Sequence, residues 1–224
     1  MKERGMIFNG EMVRAILDGR KTQTRRIMRN QPAGDTPETP VMVRKKNWAF
    51  QWYDDRYGES GFFPCPFGQP GDRIWVRETY QGPLFDYEHM EAYLEDSSEF
   101  EKPEFCVYRA DGKPAPEFYD ADDNLHCCWR PSIHMPRWAS RLTLEITDVR
   151  VERLNDISQE DAQAEGMELT GWRPTYSDPD SGGDYQTPYD NFAELWESIY
   201  GEGSWQANPW VWVIEFKRIE GGEA

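Results

Sequence analysis

The segment "SRLTLEITDVRVERL" (140–154) constrains the fold more than any other. Leu142, Leu144 and Ile146 alternate with Arg141, Thr143 and Glu145. A period of two over this length predicts a long strand with one face buried and one polar. Such a strand needs neighbours, so the chain must build a sheet. "GDRIWVRETY" (71–80) offers one: a turn signal, then Ile74 and Val76 on one face and Arg73, Trp75 and Arg77 on the other. "WVWVIEFKRI" (210–219) offers another, with two Trp–Val pairs that predict burial on both faces.

Helices punctuate these strands. In "EMVRAILDG" (11–19), Val13, Ile16 and Leu17 share one helical face, with Asn9 as N-cap and Gly19 just past the end. "KTQTRRI" follows and is rich in strand formers, which predicts helix, tight turn, strand. Ser158 caps a short helix with Asp161 at the third position. Thr187-Pro188-Tyr189-Asp190 is a helix start, and Phe192, Leu195, Trp196 and Ile199 form its apolar stripe. The stretches 30–70 and 81–135 are rich in Pro, Gly and scattered aromatics. They read as excursions with little regular structure, apart from a short strand in "FCVYRAD" (105–111). Neither a repeat nor a clean domain boundary is evident. The fold class expected is α+β, a single domain over 1–224.

Charge narrows the function. Net charge is −16, yet residues 1–46 hold 11 Lys/Arg against 5 Asp/Glu, and the remainder holds 14 against 36. An acidic body repels long duplex DNA, whereas a basic N-terminal patch can admit one short anionic ligand. Mean hydropathy is −0.86. No apolar run reaches the length of a membrane span, and "MKERGMIFNG" lacks the apolar core of a secretory signal. Four Cys in 224 residues do not suggest a disulfide scaffold. A cytoplasmic protein with reduced thiols and no membrane partner is expected.

The densest basic cluster is "GRKTQTRR" (19–26), where Arg20, Lys21, Arg25 and Arg26 surround Thr22 and Thr24. On residue type alone this is a strand edge protected by charge or a pocket for an anion. A second cluster mixes rings and cations: Trp75, Arg77 and Glu78 in the middle strand, and Trp129, Arg130, Arg137, Trp138 and Arg141 in "WRPSIHMPRWASR". Bases stack on such rings and guanidinium groups bind phosphates; the same Trp can equally pack an insertion onto the core. "LHCCW" (125–129), with His134, Cys65 and Cys106, has no standard zinc spacing, so neither a metal nor a cofactor is expected. No phosphate-binding loop, dinucleotide fingerprint or Ser-His-Asp pattern occurs.

"ILDGRKTQTRR", "GDRIWVRE", the long strand running into "ISQEDAQAEGM", and the terminal "VWVIEFKRI" together resemble the ASCH superfamily, small PUA-like β-barrels linked to RNA. The resemblance covers 6–26, 71–79, 140–168 and 186–219. It implies a mixed β-barrel with flanking helices and two long insertions, at about 27–70 and 80–139. The larger form is similar to ASCH proteins carried by bacteriophages and prophages. Some small ASCH proteins are amidohydrolases that remove the acetyl group of N4-acetylcytidine. Matched residue by residue, their catalytic set falls on Lys21, Thr24 and Glu165, the last through Ala162-x-x-Glu165-x-Met167, with Glu160 as the alternative acid. Arg20, Arg25, Arg26, Trp75, Arg77 and Glu78 are the expected contacts to a modified nucleoside or short RNA.

In that scheme Lys21 is the base, its pKa lowered by neighbouring arginines and burial. Thr24 or a water attacks the acetyl carbonyl, and Glu165 protonates the leaving amine or positions the nucleobase. Residues three apart on a regular strand face opposite ways, so Lys21 and Thr24 converge only if Lys21 precedes the regular strand. Three other readings stay open: RNA or modified-base binding without turnover, RNA cleavage, and a phage-encoded protein that contacts a host factor.

Overall fold

The computed structural model describes residues 1–31, 41–44, 48–54, 58–119, 124–167 and 187–219. It is a mixed α+β structure. In chain order the elements begin with β1 (Glu3–Ile7), α1 (Gly10–Leu17) and β2 (Gln23–Ile27). Four strands follow: β3 (Val41–Arg44), β4 (Ala49–Asp54), β5 (Gly58–Glu59) and β6 (Phe63–Pro64). Then come β7 (Arg73–Arg77), β8 (Tyr80–Gln81), α2 (Met90–Glu95), β9 (Val107–Tyr108), β10 (Glu117–Tyr119) and β11 (Leu125–Cys127). The chain continues through β12 (Thr143–Arg153), α3 (Gln159–Ala164), α4 (Pro188–Tyr200) and β13 (Trp210–Ile219). The principal strand order is β1-β7-β12-β13-β2.

The described residues pack as two compact units. One contains the described residues of 1–18, 72–145 and 218–219; the other contains those of 19–71 and 146–217.

In the first unit, β1 runs parallel to β7, and β7 pairs antiparallel with the start of β12. Strand β1 is an addition to the sequence reading: "ERGMI" buries only Met6, too weak an alternation to announce a strand. Gly5 pairs with Trp75, and a Cβ there would lie 2.6 Å from the indole ring, so only glycine leaves room for it. Helix α1 forms as its caps predict. Asn9 accepts a hydrogen bond from the Met12 N–H at 2.8 Å, and Val13, Ala15 and Ile16 are buried. The expected alternation of β7 holds, with Ile74 and Val76 buried. The segment 80–139 carries α2, single-turn helices, and two small antiparallel pairs, β8–β9 and β10–β11.

In the second unit, β13 pairs antiparallel with β2, and α3 and α4 close over one face. Val211 and Val213 pack there with Leu154, Ile157, Ala162, Phe192 and Trp196. Burying each Val, Leu or Ile side chain there contributes about 1.5–3 kcal/mol. The whole run Val211–Ile214 is buried, as its composition predicts for a strand covered on both faces. Helix α4 starts with a full capping box: the Thr187 hydroxyl accepts from the Asp190 N–H, and the Asp190 carboxylate accepts from the Thr187 N–H at 2.9 Å.

The 27–70 excursion departs from expectation. Strands β3, β4, β5 and β6 form a small antiparallel sheet there. Phe50 of β4 meets Trp212 of β13 edge to face, ring centroids 5.0 Å apart. The strands are short and interrupted by Gly58 and Pro64, so local turn signals mask them in the sequence.

Candidate functional site

Lys21 sits between α1 and the regular part of β2. Its backbone forms an isolated antiparallel bridge with Glu165, at the end of α3. The bridge is framed by two backbone bonds: Thr22 N–H to the Ala164 carbonyl, and Phe216 N–H to the Thr22 carbonyl, both 2.8 Å. This framework aims the lysine at the helix end. Its Nζ donates to Glu165 Oε2 at 2.6 Å and to the Glu165 backbone carbonyl at 2.8 Å. The lysine side chain has no exposed surface, and that of Glu165 is 2% exposed.

Burial pushes the Lys21 pKa down from the ordinary lysine range. The Glu165 carboxylate opposes this, and Arg26 and Arg25 add to it by like-charge repulsion. Desolvation is the largest effect, because a buried ammonium loses its water on every side.

Arg25 completes the cluster. Its Nη1 lies 3.3 Å from Glu165 Oε1, so the two carboxylate oxygens of Glu165 face different cations. Its Nη2 reaches Asp161 Oδ2 at 2.9 Å and Glu152 Oε2 at 3.3 Å. Gln23 donates to Asp161 Oδ1 at 2.7 Å and accepts from Arg25 at 3.0 Å. Arg150 joins through Asp161 at 3.0 Å and also pairs with Glu152 and Glu215. Asp161 is held below the usual carboxylate range, its partial burial outweighed by Gln23, Arg25 and Arg150 together. The sequence treats Arg25 as a ligand contact. In the fold its side chain has no exposed surface and holds carboxylates instead.

Strand alternation divides the basic motif between two faces of β2. Lys21, Gln23 and Arg25 reach the α3 side through the contacts above. Thr24 lies on the opposite face of the strand. It is paired with Ile214, and Arg26 with Trp212. Thr24 is itself buried, at 2% exposure. Arg20 donates to the Gly166 carbonyl at 3.0 Å, just beyond Glu165.

The other expected contacts lie in the first unit. The Arg77 guanidinium stacks 5.4 Å from the Trp75 ring and donates to the Ile133 carbonyl. Glu78 is buried at 1% exposure and accepts two hydrogen bonds from Arg141, at 2.9 and 3.0 Å. Burial raises the Glu78 pKa despite that partner. Arg141 also pairs with Asp111 at 2.7 Å and lies 3.9 Å over the Tyr108 ring.

Among the described residues, no three of His, Cys, Asp and Glu are grouped to hold a metal, and no helix is long and apolar enough to cross a membrane. All four cysteines are free thiols. Comparison with protein-family models, curated protein sequences and solved structures gave no match.

Proposed function

We propose that this chain is an ASCH-type, PUA-like barrel protein that hydrolyses an amide on a modified nucleoside of the N4-acetylcytidine kind. The observation that carries this reading is the buried pair: Lys21 Nζ held 2.6 Å from Glu165, with the lysine pKa lowered. A base works best when its pKa lies near the working pH, and a buried Lys–Glu pair can exchange a proton without bulk water.

The placement of Thr24 favours direct attack by water over a covalent threonine route. The neutral fraction of Lys21, which its lowered pKa enlarges, takes a proton from water as the oxygen adds to the acetyl carbonyl. The C–N bond then breaks as the pair returns a proton to the leaving amine. Acetate and cytidine are the products, and no other reactant is needed. In this scheme Arg25 fixes the second oxygen of Glu165, and the Asp161–Arg150–Glu152 network fixes Arg25. The segments that carry the ASCH resemblance contain β2, β7, β12 and β13, strands of the principal sheet.

One observation favours a second reading, binding of a modified base without turnover. Lys21 has no exposed surface, and both Glu165 oxygens are engaged by cations. Incubation with N4-acetylcytidine, with cytidine release followed by chromatography, separates the two. Release by the parent protein and none by Lys21→Arg supports hydrolysis, since Arg keeps the charge but cannot act as a base near neutral pH. Binding of the nucleoside without release by the parent supports the second reading.

A further inference from the structure

The Thr24 face of β2 leads to a different feature. A cleft of about 390 Å³ opens where the small β3–β6 sheet meets β13. Trp52 of β4, Phe63 of β6 and Trp212 of β13 line it, with Met28 and Pro64. The Trp52 and Phe63 rings are 4.6 Å apart, and Phe63 and Trp212 are 5.9 Å apart at a steep angle. Trp52 and Phe63 are half-buried, so part of each ring stays accessible, while Trp212 is buried as the back wall. Arg29, Asn30 and Ser60 also line it, the first two exposed.

Volume, shape and charge together limit the occupant. The volume lies at the small-molecule end of ligand sites. Aromatic walls favour a flat ring or a cation. Among the described residues that line the cleft none is acidic, and Arg29 is basic, so a cation meets repulsion with no counter-charge. A flat ring carrying an anionic group fits both features, with the exposed Asn30 beside its polar edge. Bases stack on aromatic side chains regardless of their identity, and arginine pairs with phosphate through charge-assisted hydrogen bonds.

We propose that this cleft is a nucleotide-binding site, which stacks a nucleobase on Trp52 and Phe63 and takes its phosphate on Arg29. The inference goes beyond the hydrolase reading, because it requires no catalytic role for Lys21. It also gives the 27–70 segment a task. A free mononucleotide and one residue of an RNA strand present the same chemistry.

Isothermal titration with cytidine monophosphate, cytidine and a single-stranded hexaribonucleotide tests it. Cytidine monophosphate binds the parent saturably. Trp52→Leu weakens cytidine monophosphate and cytidine alike, by roughly fivefold to a hundredfold. Arg29→Ala, an exposed substitution that leaves the fold intact, weakens cytidine monophosphate by about tenfold and cytidine by less than about twofold. Hexanucleotide binding tighter than that of the mononucleotide assigns the site to RNA; equal binding assigns it to the free nucleotide. Three results overturn the proposal: no saturable binding at millimolar ligand, no effect of Trp52→Leu, or equal weakening of both ligands by Arg29→Ala. Absence of N4-acetylcytidine turnover alongside intact nucleotide binding defeats the hydrolase reading and leaves this one standing.

Discussion

Removing Glu165 and removing Lys21 have unequal consequences, although each breaks the same ion pair. In Glu165→Gln, the Lys21 ammonium loses its carboxylate counter-charge and is left with neutral acceptors at residue 165, with Arg25 close by. A buried charge left without its partner costs about 3–5 kcal/mol. In Lys21→Met, Glu165 retains Arg25 at 3.3 Å, so its charge stays compensated. The loss is then of the two hydrogen bonds from Nζ, of which the charged one dominates at about 1.5–3 kcal/mol. The difference of about 2 kcal/mol moves a urea midpoint by roughly 1 M, since m is about 1–3 kcal/mol/M. Urea denaturation of the parent, both single variants and the double variant measures it. The double variant, which removes both charges, is more stable than Glu165→Gln alone. Lys21→Met costing as much as Glu165→Gln, or a coupling energy near zero, refutes the argument.

The depressed Lys21 pKa fixes a pH trend as well. Between its folded value and the ordinary lysine value, the unfolded chain holds the extra proton, so stability rises with pH across that window. Lys21→Met abolishes this rise, which pH-dependent melting detects. Glu78 behaves in the opposite sense: its raised pKa makes stability fall as pH climbs from the ordinary glutamate value through the folded one. Arg141→Leu costs about 3–5 kcal/mol near neutral pH and less at acid pH, where Glu78 is protonated. Thr187→Ala removes one half of the α4 capping box and lowers stability by about 1 kcal/mol, read from thermal melts. Titration of thiols near pH 8 finds two fast sites, Cys127 and Cys128; Cys65 is buried, and burial pushes Cys106 up to about 11.

Much of the scaffold was legible because its signals are local. Asn9, Ser158 and Thr187 cap the helices that they announce, and β12 and β13 follow their own residue patterns. Strand β1 and the β3–β6 sheet were not legible, since their order comes from partners distant in sequence rather than from strong alternation. The same distinction applies to the candidate site. Lys21 and Glu165 emerge as a pair only through resemblance, 144 residues apart. The position of Arg25 was visible, but its task depends on strand parity with Gln23 and on carboxylates 127 to 140 residues away. Asp161 reads in the sequence as a capping-box residue, yet in the fold it anchors two arginines and a glutamine. The aromatic cleft was hidden because Trp52 and Phe63 gain meaning only beside Trp212.

Cytidine release from N4-acetylcytidine by the parent, Thr24→Ala and Lys21→Arg, each shown to be folded, tests the central claim most directly. If Lys21 and Glu165 carry the chemistry with water as nucleophile, the parent and Thr24→Ala turn over while Lys21→Arg does not. Loss of turnover in Thr24→Ala with retention in Lys21→Arg contradicts that account, as does a parent protein in excess over substrate that releases no cytidine.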